Sequence, residues 1–483
     1  MSNNSTSKIY NATKWSAITN IFSKITPPIT NMILARLLTP DAFGIITSIN
    51  LVITFADIFT DAGFQKYIVQ HEFENDEKLF NATNVAFWSN FILSIFAWII
   101  ICIFRNPIAE MVGSPGYGIH LIVAAFTIPI LSFSSIQQAI FKRDFDFKGL
   151  FVPRIIRSII PLCITVPLAF CFRNCWALII GTLCANLSDA IILTIKSRWK
   201  PEFYFSKAEF SEMFGFSFWT LLESIAIWCS VNIDIFIISR KLDVHYLGIY
   251  KTSMVTVNQI TGLITTTIIP VLFSALSRAQ NERIEFFKIY LKFQRICALF
   301  VIPLSVGMFV FKVLVTYVLL GNQWNKAVNY IGLLGLASST SVLISNFASE
   351  VYRAKGSPKT SFVIQVLFII EVAIGVWLAI PNGFEVLCFT RFLTLFVFAF
   401  MHLFTLCIIY KFNFFKMIFN FIVPVFCSLL MGLEGMILLK MNDSIFFQII
   451  DVIVCMFSYL LLLLCFPYER RIVYKTIRKI LQK

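Results

Sequence analysis

Long apolar stretches alternate with short polar ones along the whole chain. A helix needs roughly 20 apolar residues to cross the hydrocarbon core of a bilayer. Fourteen stretches have about that length, so the pattern predicts an all-α integral membrane protein with about fourteen transmembrane helices. The predicted spans lie near residues 15–37, 42–64, 83–104, 119–141, 150–172, 174–195, 214–238, 246–274, 293–318, 328–352, 360–381, 384–409, 417–439 and 445–466.

The composition indicates that the protein has almost no soluble part. Hydrophobic residues make up 58% of the chain and charged residues only 14%, with a mean hydropathy of +0.81. A soluble domain normally carries about 25% charged residues. Phenylalanine alone supplies 53 residues, more than a water-soluble core of this size can bury. These values exclude an ordinary soluble globular protein.

The net charge of +14 does not indicate nucleic-acid binding, because the basic residues alternate between two sets of loops. Of the 40 Lys and Arg residues, 27 fall in one set and 7 in the other. Lys and Arg accumulate in loops on the cytoplasmic side. We therefore expect a multi-pass inner-membrane protein with both termini in the cytoplasm. Its basic surface would face anionic lipid headgroups.

Two parts of the chain resemble each other at a spacing of 204 residues. Arg36-Leu37-Leu38 corresponds to Arg240-Lys241-Leu242, and in both places a glycine, Gly44 or Gly248, follows eight residues later. The repeat predicts two pseudo-repeated six-helix lobes around a central cavity, as in many transporters. The N-terminal lobe would comprise residues 1–200 and the C-terminal lobe residues 201–412. Residues 413–483 would form an additional helix pair and a basic cytoplasmic tail.

The loops are too short to hold an exterior catalytic domain. The longest outer loop runs from about Arg105 to Gly118, whereas an enzyme acting on a bulky polymer needs more exterior structure. The 12 cysteines and 4 histidines are scattered and lack metal-ligand spacing. We therefore expect a transporter without a metal or cofactor.

The first outer turn carries a specific sequence. Residues Ile33 to Gly44 are ILARLLTPDAFG, and Phe59 to Phe64 are FTDAGF. Both resemble Wzx-type polysaccharide flippases, of the multidrug/oligosaccharidyl-lipid/polysaccharide exporter superfamily. The basic segment from Phe141 to Lys148 resembles the loop after the fourth helix of that family.

The resemblance implies a bacterial flippase that works by alternating access. It would move undecaprenyl-diphosphate-linked oligosaccharide repeat units from the cytoplasmic to the periplasmic leaflet, for O-antigen, capsule or exopolysaccharide synthesis. Its partners would be this substrate, membrane lipids, a glycan polymerase and chain-length or export machinery. Two alternatives stay open: a cation-coupled multidrug exporter of the same superfamily, and a membrane-embedded glycan polymerase or ligase, which the short outer loops disfavour.

Basic residues inside predicted helices are candidates for binding the diphosphate. An embedded charge costs about 2.5–3.5 kcal/mol on insertion scales, so it usually has a function. Arg suits this role because its planar fork pairs with two oxygens of an oxyanion. The candidates are Lys24, Arg154 and Arg157 inside helices, and Arg36 and Arg240 at equivalent outer helix ends.

Each cation also has a structural interpretation. Lys24 could extend to the membrane surface or pair with Asp57. Arg154 and Arg157 could anchor the cytoplasmic end of their helix, and Arg36 could cap a helix C-terminus, where the dipole favours a cation.

Three acidic residues are candidates for gating or ion coupling. Glu223 and Asp234 are three helical turns apart, so they share a face of the seventh predicted helix. This pattern suggests coupling to H⁺ or Na⁺, or alternatively ion pairs with cations such as Lys24. Asp61 could lock the inner gate against Lys66 or Arg143, or it could end a helix.

Overall fold

The fold is helical throughout the residues that the structure describes. In this computed structural model they are residue 23 and residues 25–61, 63–144, 146–441, 444–467 and 469–470. Within these ranges the side chains of 216, 217, 219, 220, 223 and 358 are not described. Two compact units divide the chain, Met1–Lys251 and Thr252–Lys483.

The first unit contains the helices α1 to α11 and the start of α12. A π-helical turn, Pro161–Thr165, joins α8 to α9. The helices are α1 (described over residues 25–37), α2 (Pro40–Asp61), α3 (Phe64–Gln70), α4 (Asp76–Ile103), α5 (Arg105–Met111), α6 (Gly118–Ala125), α7 (Thr127–Arg143), α8 (Phe147–Ile160), α9 (Val166–Phe172), α10 (Cys175–Lys196), α11 (Lys207–Lys241) and α12 (Val244–Arg278).

The second unit contains the rest of α12 and the helices that follow. Two 3₁₀ turns, Asn322–Ala327 and Ile380–Asn382, and one π-helical turn, Ser341–Asn346, connect some of them. The helices are α13 (Arg283–Val310), α14 (Lys312–Leu319), α15 (Val328–Thr340), α16 (Phe347–Ala354), α17 (Pro358–Ala379), α18 (Phe384–Ile408), α19 (Phe414–Phe419), α20 (Ile422–Met441) and α21 (Ile445–Leu464).

Twelve helical segments of the described residues are long and apolar enough to cross a bilayer. Two predicted spans are not among them. Much of the first, residues 15–37, lies outside the described residues. The seventh is α11, which has 35 residues but a more polar sequence that includes Glu223 and Asp234. The prediction of an all-helical multi-pass membrane protein is confirmed, whereas the exact number of spans and their orientation stay predictions.

Polar residues at loop ends determine where several helices begin. The side chains of Asn75, Asn174 and Asn413 accept hydrogen bonds from backbone N–H groups in the first turns of α4, α10 and α19. Such N-caps satisfy donors that have no partner within the helix. Gly63 separates α2 from α3 with φ 82°, a conformation that favours glycine.

Large apolar side chains cover the outer surfaces of the helices. Phe170, Ile195 and Phe400 are each more than half exposed, as are many other aromatic and aliphatic residues. Such a surface would aggregate in water, whereas hydrocarbon solvates it. The exposed apolar surface therefore supports the membrane assignment independently of helix length.

The starts of α2 and α12 pack against each other reciprocally within the first unit. A Cβ on Gly44 would lie 1.7 Å from the carbonyl oxygen of Val244, and a Cβ on Gly248 would lie 1.9 Å from that of Pro40. Asp41 Oδ2 lies 3.3 Å from Nδ1 of His245, 204 residues further along the chain. Repeat-equivalent residues thus contact each other in a local two-fold arrangement, which supports the repeat found in the sequence. The lobe boundaries at residues 200 and 412 stay a prediction.

Candidate functional site

A cluster of charged and polar side chains lies where α2, α7 and α10 end and α8 begins, at the predicted cytoplasmic end of the first unit. We call it the inner charged cluster. Each member lies within about three turns of that end of its helix, inside an apolar segment. Its members are Asp57 and Asp61 of α2, Gln138 and Lys142 of α7, Arg154 and Arg157 of α8, and Asp189 of α10.

Asp189 is the most buried charged residue of the cluster, with a side chain only 3% exposed. Its Oδ2 lies 3.4 Å from Nη1 of Arg157 and accepts a hydrogen bond of 3.2 Å from Nε2 of Gln138. A carboxylate buried between apolar helices needs such partners, because an uncompensated buried charge is strongly destabilising. Asp189 therefore fixes Arg157, whose side chain stays 43% exposed.

Arg154 lies one turn before Arg157 and is less constrained. Its charge interacts with those of Asp189, Arg157 and Lys142, but it forms no salt bridge with the described residues. Three cations are thus close together, and their mutual repulsion favours binding of an anion. Arg154 has guanidinium donors available for a phosphate.

The acids of α2 form the other side of the inner charged cluster. Asp57 and Asp61 lie one helical turn apart and interact electrostatically, and Asp57 also interacts with Arg157. Asp61 hydrogen-bonds to Gln65 and is near the charges of Lys142 and Lys66. One buried oxygen of Asp61, Oδ1, has no hydrogen-bond partner among the described residues. Asp61 is therefore placed where it could exchange partners, although its gating role stays a prediction.

Arg143 is directed away from this cluster. Its Nη1 donates hydrogen bonds of 2.7 Å to the carbonyl oxygens of Ile68 and His71, and its Cζ lies 4.9 Å from the centre of the Phe73 ring. Arg143 thus holds the end of α3 against α7. The alternative in which Arg143 locks Asp61 has no support in these contacts.

A second contact joins α3 to α11 at the same end of the unit. Tyr67 Oη donates a hydrogen bond of 3.3 Å to Oε1 of Glu212, and Nε2 of His71 lies 3.6 Å from the same oxygen. Burial, and then the charge of Glu212, raise the pKa of Tyr67 to about 12. The phenol therefore remains protonated, and remains a donor, throughout the physiological pH range.

Of the two candidate acids of α11, Glu223 and Asp234, the structure describes the side chain of Asp234 alone. Asp234 is buried, accepts a hydrogen bond of 2.7 Å from Tyr250 Oη and interacts with the charge of Lys251. These contacts favour a structural role for Asp234. The side chain of Glu223 lies outside the described residues, so the predicted coupling pair stays a prediction.

Among the described residues, the structure brings two of the predicted cations into the inner charged cluster. Arg154 and Arg157 are neighbours, whereas Arg36 and Arg240 are exposed at the ends of α1 and α11. Arg36 adjoins the start of α2, whose 22 residues span about 33 Å to the inner charged cluster. Lys24 lies outside the described residues.

Sequence reasoning missed Asp189 and Gln138 and gave Asp57 only a minor role. Asp189 is the one acid within α10, and a lone acid in an apolar span nearly always has a partner. That signal could have singled out Asp189. The identity of its partner depends on how α7, α8 and α10 are rotated, which the sequence does not show.

Comparisons with known proteins agree with this architecture. A family model described as polysaccharide biosynthesis protein matches residues 33–329, more than half of the chain. An uncharacterized membrane protein in the cps region of Klebsiella pneumoniae is 24% identical over 373 residues, 75% of each chain. The succinoglycan biosynthesis transport protein ExoT of Rhizobium meliloti (strain 1021) is 23% identical over 319 residues, 66% of this chain and 64% of ExoT. Lipid II flippase MurJ, in an inward closed conformation, aligns with 95% of this chain and 99% of its own at a TM-score of 0.75 and 16% identity, which shows a shared fold.

Proposed function

The chain belongs to the family of polysaccharide biosynthesis proteins, and from that premise we propose that it is a flippase for lipid-linked oligosaccharides. The substrate in this proposal is an oligosaccharide repeat unit on undecaprenyl diphosphate, which moves from the cytoplasmic to the periplasmic leaflet. The names of ExoT, a transport protein, and MurJ, a flippase, support transport over enzymatic catalysis.

The inner charged cluster is the observation that carries the proposal. Sugars and a diphosphate cannot cross hydrocarbon unaided, because each polar group would lose its hydrogen bonds to water. The polyprenyl tail can stay in the bilayer throughout. A transporter for such a molecule needs cations within the membrane region, and Arg154, Arg157 and Lys142 lie within apolar helical segments.

Arg154 is the residue that receives the diphosphate in this mechanism. Its guanidinium forms charge-assisted hydrogen bonds with two phosphate oxygens without first breaking a salt bridge within the described residues. Arg157 is positioned by Asp189 and adds a second positive charge beside it. Asp57 and Asp61 balance these charges when the substrate is absent. Alternating access then exposes the bound headgroup to the opposite side, where it is released.

The charge balance of the cluster disfavours the multidrug exporter. A site for cationic drugs needs acids without basic neighbours, whereas here each of the three acids interacts with a base. We therefore expect no change in drug susceptibility when the gene is deleted.

The decisive experiment measures the leaflet location of lipid-linked oligosaccharide in cells depleted of this protein. We expect repeat units on undecaprenyl diphosphate to accumulate facing the cytoplasm while the surface glycan disappears. Repeat units that reach the outer leaflet but stay unpolymerised would contradict the proposal and favour a polymerase or ligase.

We further propose the cellular setting of this activity. The protein lies in the inner membrane of a bacterium, with both termini in the cytoplasm. Glycosyltransferases supply the repeat unit on the cytoplasmic side. A polymerase with its chain-length and export machinery consumes it on the periplasmic side.

A further inference from the structure

The helix pair α20 and α21 contains polar side chains that the proposed function does not use. Gln448, Asp451, Cys455 and Ser458 follow each other at intervals of three and four residues on α21, so they form one stripe. Gln448 and Asp451 are each only 9% exposed and Cys455 is 2% exposed. Residues between them, such as Ile453 and Phe457, are mostly exposed. The stripe therefore faces protein, whereas the other surface of α21 faces outward.

Glu434 of α20 meets this stripe from the opposite helix. The hydroxyl of Ser458 donates a hydrogen bond to Oε2 of Glu434. Both Glu434 and Asp451 interact electrostatically with Cys455. Because α20 ends at Met441 and α21 begins at Ile445, Glu434 and Asp451 lie at similar distances, about 10 Å, from the connection between the helices. The carboxylate of Glu434 thus lies beside Ser458, two turns along α21 from Asp451, and both acids lie within an apolar helix pair.

Two buried oxygen atoms of the stripe without hydrogen-bond partners in the described part of the chain indicate which kind of ligand the stripe can bind. Oδ2 of Asp451 and Oε1 of Gln448 are buried and have no hydrogen-bond partner among the described residues. Both atoms only accept hydrogen bonds when Asp451 is ionised. Two neighbouring acceptors without a donor can be satisfied by a proton, a cation or a water molecule, and not by an anion. A proton on Asp451 would let its hydroxyl donate to Gln448, one turn earlier on the same helix.

No basic side chain among the described residues forms an ion pair with Glu434 or Asp451. Cations on the helices packed against the pair either have other partners or are exposed. Arg295 pairs with Glu469, Lys312 donates to Asn329 and Arg283 donates to the carbonyl oxygen of Lys411, whereas Lys288, Lys292 and Lys440 are exposed. The other titratable groups on these helices are Glu285, Tyr290, Cys297, Tyr317, Cys427, Cys455 and Tyr459. An unpaired charge between apolar helices is costly.

We propose that Asp451 and Gln448 form an exchangeable proton site in the α20–α21 pair. Asp451 takes a proton from water at the outer membrane surface, its O–H bond forms, and the hydroxyl donates to Gln448 Oε1. Release breaks that O–H bond and returns the carboxylate and a proton. That this exchange is coupled to export rests on the proposed function.

Infrared spectroscopy of the full chain in liposomes tests the proton site without any transport substrate. We expect a band of a protonated carboxyl group that disappears as the pH is raised. Asp451→Asn should remove this band, and Gln448→Ala should keep it but shift it to higher frequency, because the carboxyl loses its acceptor. Glu285→Gln, a change of an exposed acid in the first turn of α13, should leave it unchanged.

Three results would overturn the proposal. One is a native spectrum without the band, and another is the same band in Asp451→Asn. A third is a sodium-dependent rise in thermal midpoint that Asp451→Asn abolishes without any protonated band, which would assign the site to Na⁺. If Asp451→Asn does not fold, Gln448→Ala replaces it, and a band of unaltered frequency in that variant would then reject the site.

Export assays test the coupling separately. In folded protein, Asp451→Asn should abolish the pH dependence of export, whereas Glu285→Gln should retain it. A pH dependence that is unchanged in Asp451→Asn, despite loss of the infrared band, would overturn coupling. Failure of the proposed function itself would be recognised differently, since depletion of the native chain would then leave the leaflet distribution of lipid-linked oligosaccharide unchanged.

Discussion

Asp189 gives its two basic neighbours different roles. It holds Arg157 at 3.4 Å and is itself hydrogen-bonded to Gln138. Arg154 interacts with Asp189 only through its charge and forms no salt bridge within the described residues. A phosphate that binds to Arg154 therefore displaces less of the existing network than one that binds to Arg157. The two arginines look equivalent in the sequence, and the buried carboxylate distinguishes them.

Replacement of Arg154 by Gln should weaken diphosphate binding and slow export. A hydrogen bond to a charged group contributes about 1.5–3 kcal/mol, which corresponds to a roughly tenfold to hundredfold loss of affinity. Flipping of a fluorescent diphosphate-linked oligosaccharide in proteoliposomes measures the effect. Arg198→Gln, which removes an exposed charge just after α10, is the matched control. Equal flipping rates in the two variants would rule out Arg154 as the diphosphate ligand.

Arg157 and Asp189 should behave as a coupled pair in a double-mutant cycle. Asp189→Asn and Arg157→Gln should each lower the thermal midpoint, because each leaves a partner unpaired. The double variant should lose less stability than the sum, with a coupling of about 0.5–3 kcal/mol. Additive losses would show that the 3.4 Å contact contributes nothing.

Among the helices, α2 and α12 show why the repeat matters for packing. Gly44 and Gly248 lie one turn inside their helices, where each allows the other helix backbone to approach. Small residues permit such close approach between helices in membranes. The glycines occupy equivalent positions of the repeat, so the same glycine-to-carbonyl contact occurs twice where α2 and α12 meet.

An alanine at Gly44 should therefore destabilise the protein. Its Cβ would lie 1.7 Å from a backbone oxygen of Val244, which cannot rotate away as a side chain could. We expect a loss of at least about 1–3 kcal/mol, the usual cost of overpacking, seen as a lower thermal midpoint and a smaller yield of folded protein.

Gly307→Ala is the control for this substitution. Gly307 lies inside α13 with nothing within 4 Å of an added Cβ. Alanine is favoured over glycine in a helix by roughly 0.5–1 kcal/mol, so this variant should be as stable as the native chain or more so. An equal midpoint for Gly44→Ala would disprove the tight contact.

The helices were predictable because a bilayer imposes a length and a polarity on each span. The predicted spans 174–195 and 384–409 correspond closely to Cys175–Lys196 and Phe384–Ile408. Extensions into water were not predictable from hydropathy, as α11 shows by beginning at Lys207, before its apolar part. The break between α2 and α3 was missed as well, since it depends on the conformation of Gly63.

The candidate sites were harder to predict than the helices, because they depend on contacts between helices. Arg154 and Arg157 were predictable as embedded charges on one helix. Their relation to Asp189 requires the rotation of α8 against α10, and the pairing of Glu434 with Ser458 requires that of α20 against α21. Hydropathy contains no information on either rotation.

At the scale of the whole molecule, charge distribution predicts the orientation in the membrane. Loops that alternate along the chain carry 27 and 7 basic residues, respectively. The cytoplasmic leaflet is anionic and attracts Lys and Arg by about 1 kcal/mol each. A difference of this size between the two sets of loops favours one orientation strongly.

Cysteine labelling in intact cells tests this orientation. Asn325 and Lys359 are both exposed and lie near opposite ends of the apolar segment Asn322–Ala354. In a variant without the exposed native cysteines, a membrane-impermeant thiol reagent should label Asn325→Cys but not Lys359→Cys. Permeabilised cells should show labelling of both, which establishes that each site is accessible. The reverse pattern in intact cells would place the inner charged cluster at the periplasmic end, and Arg154 would then act in release of the diphosphate instead of its capture.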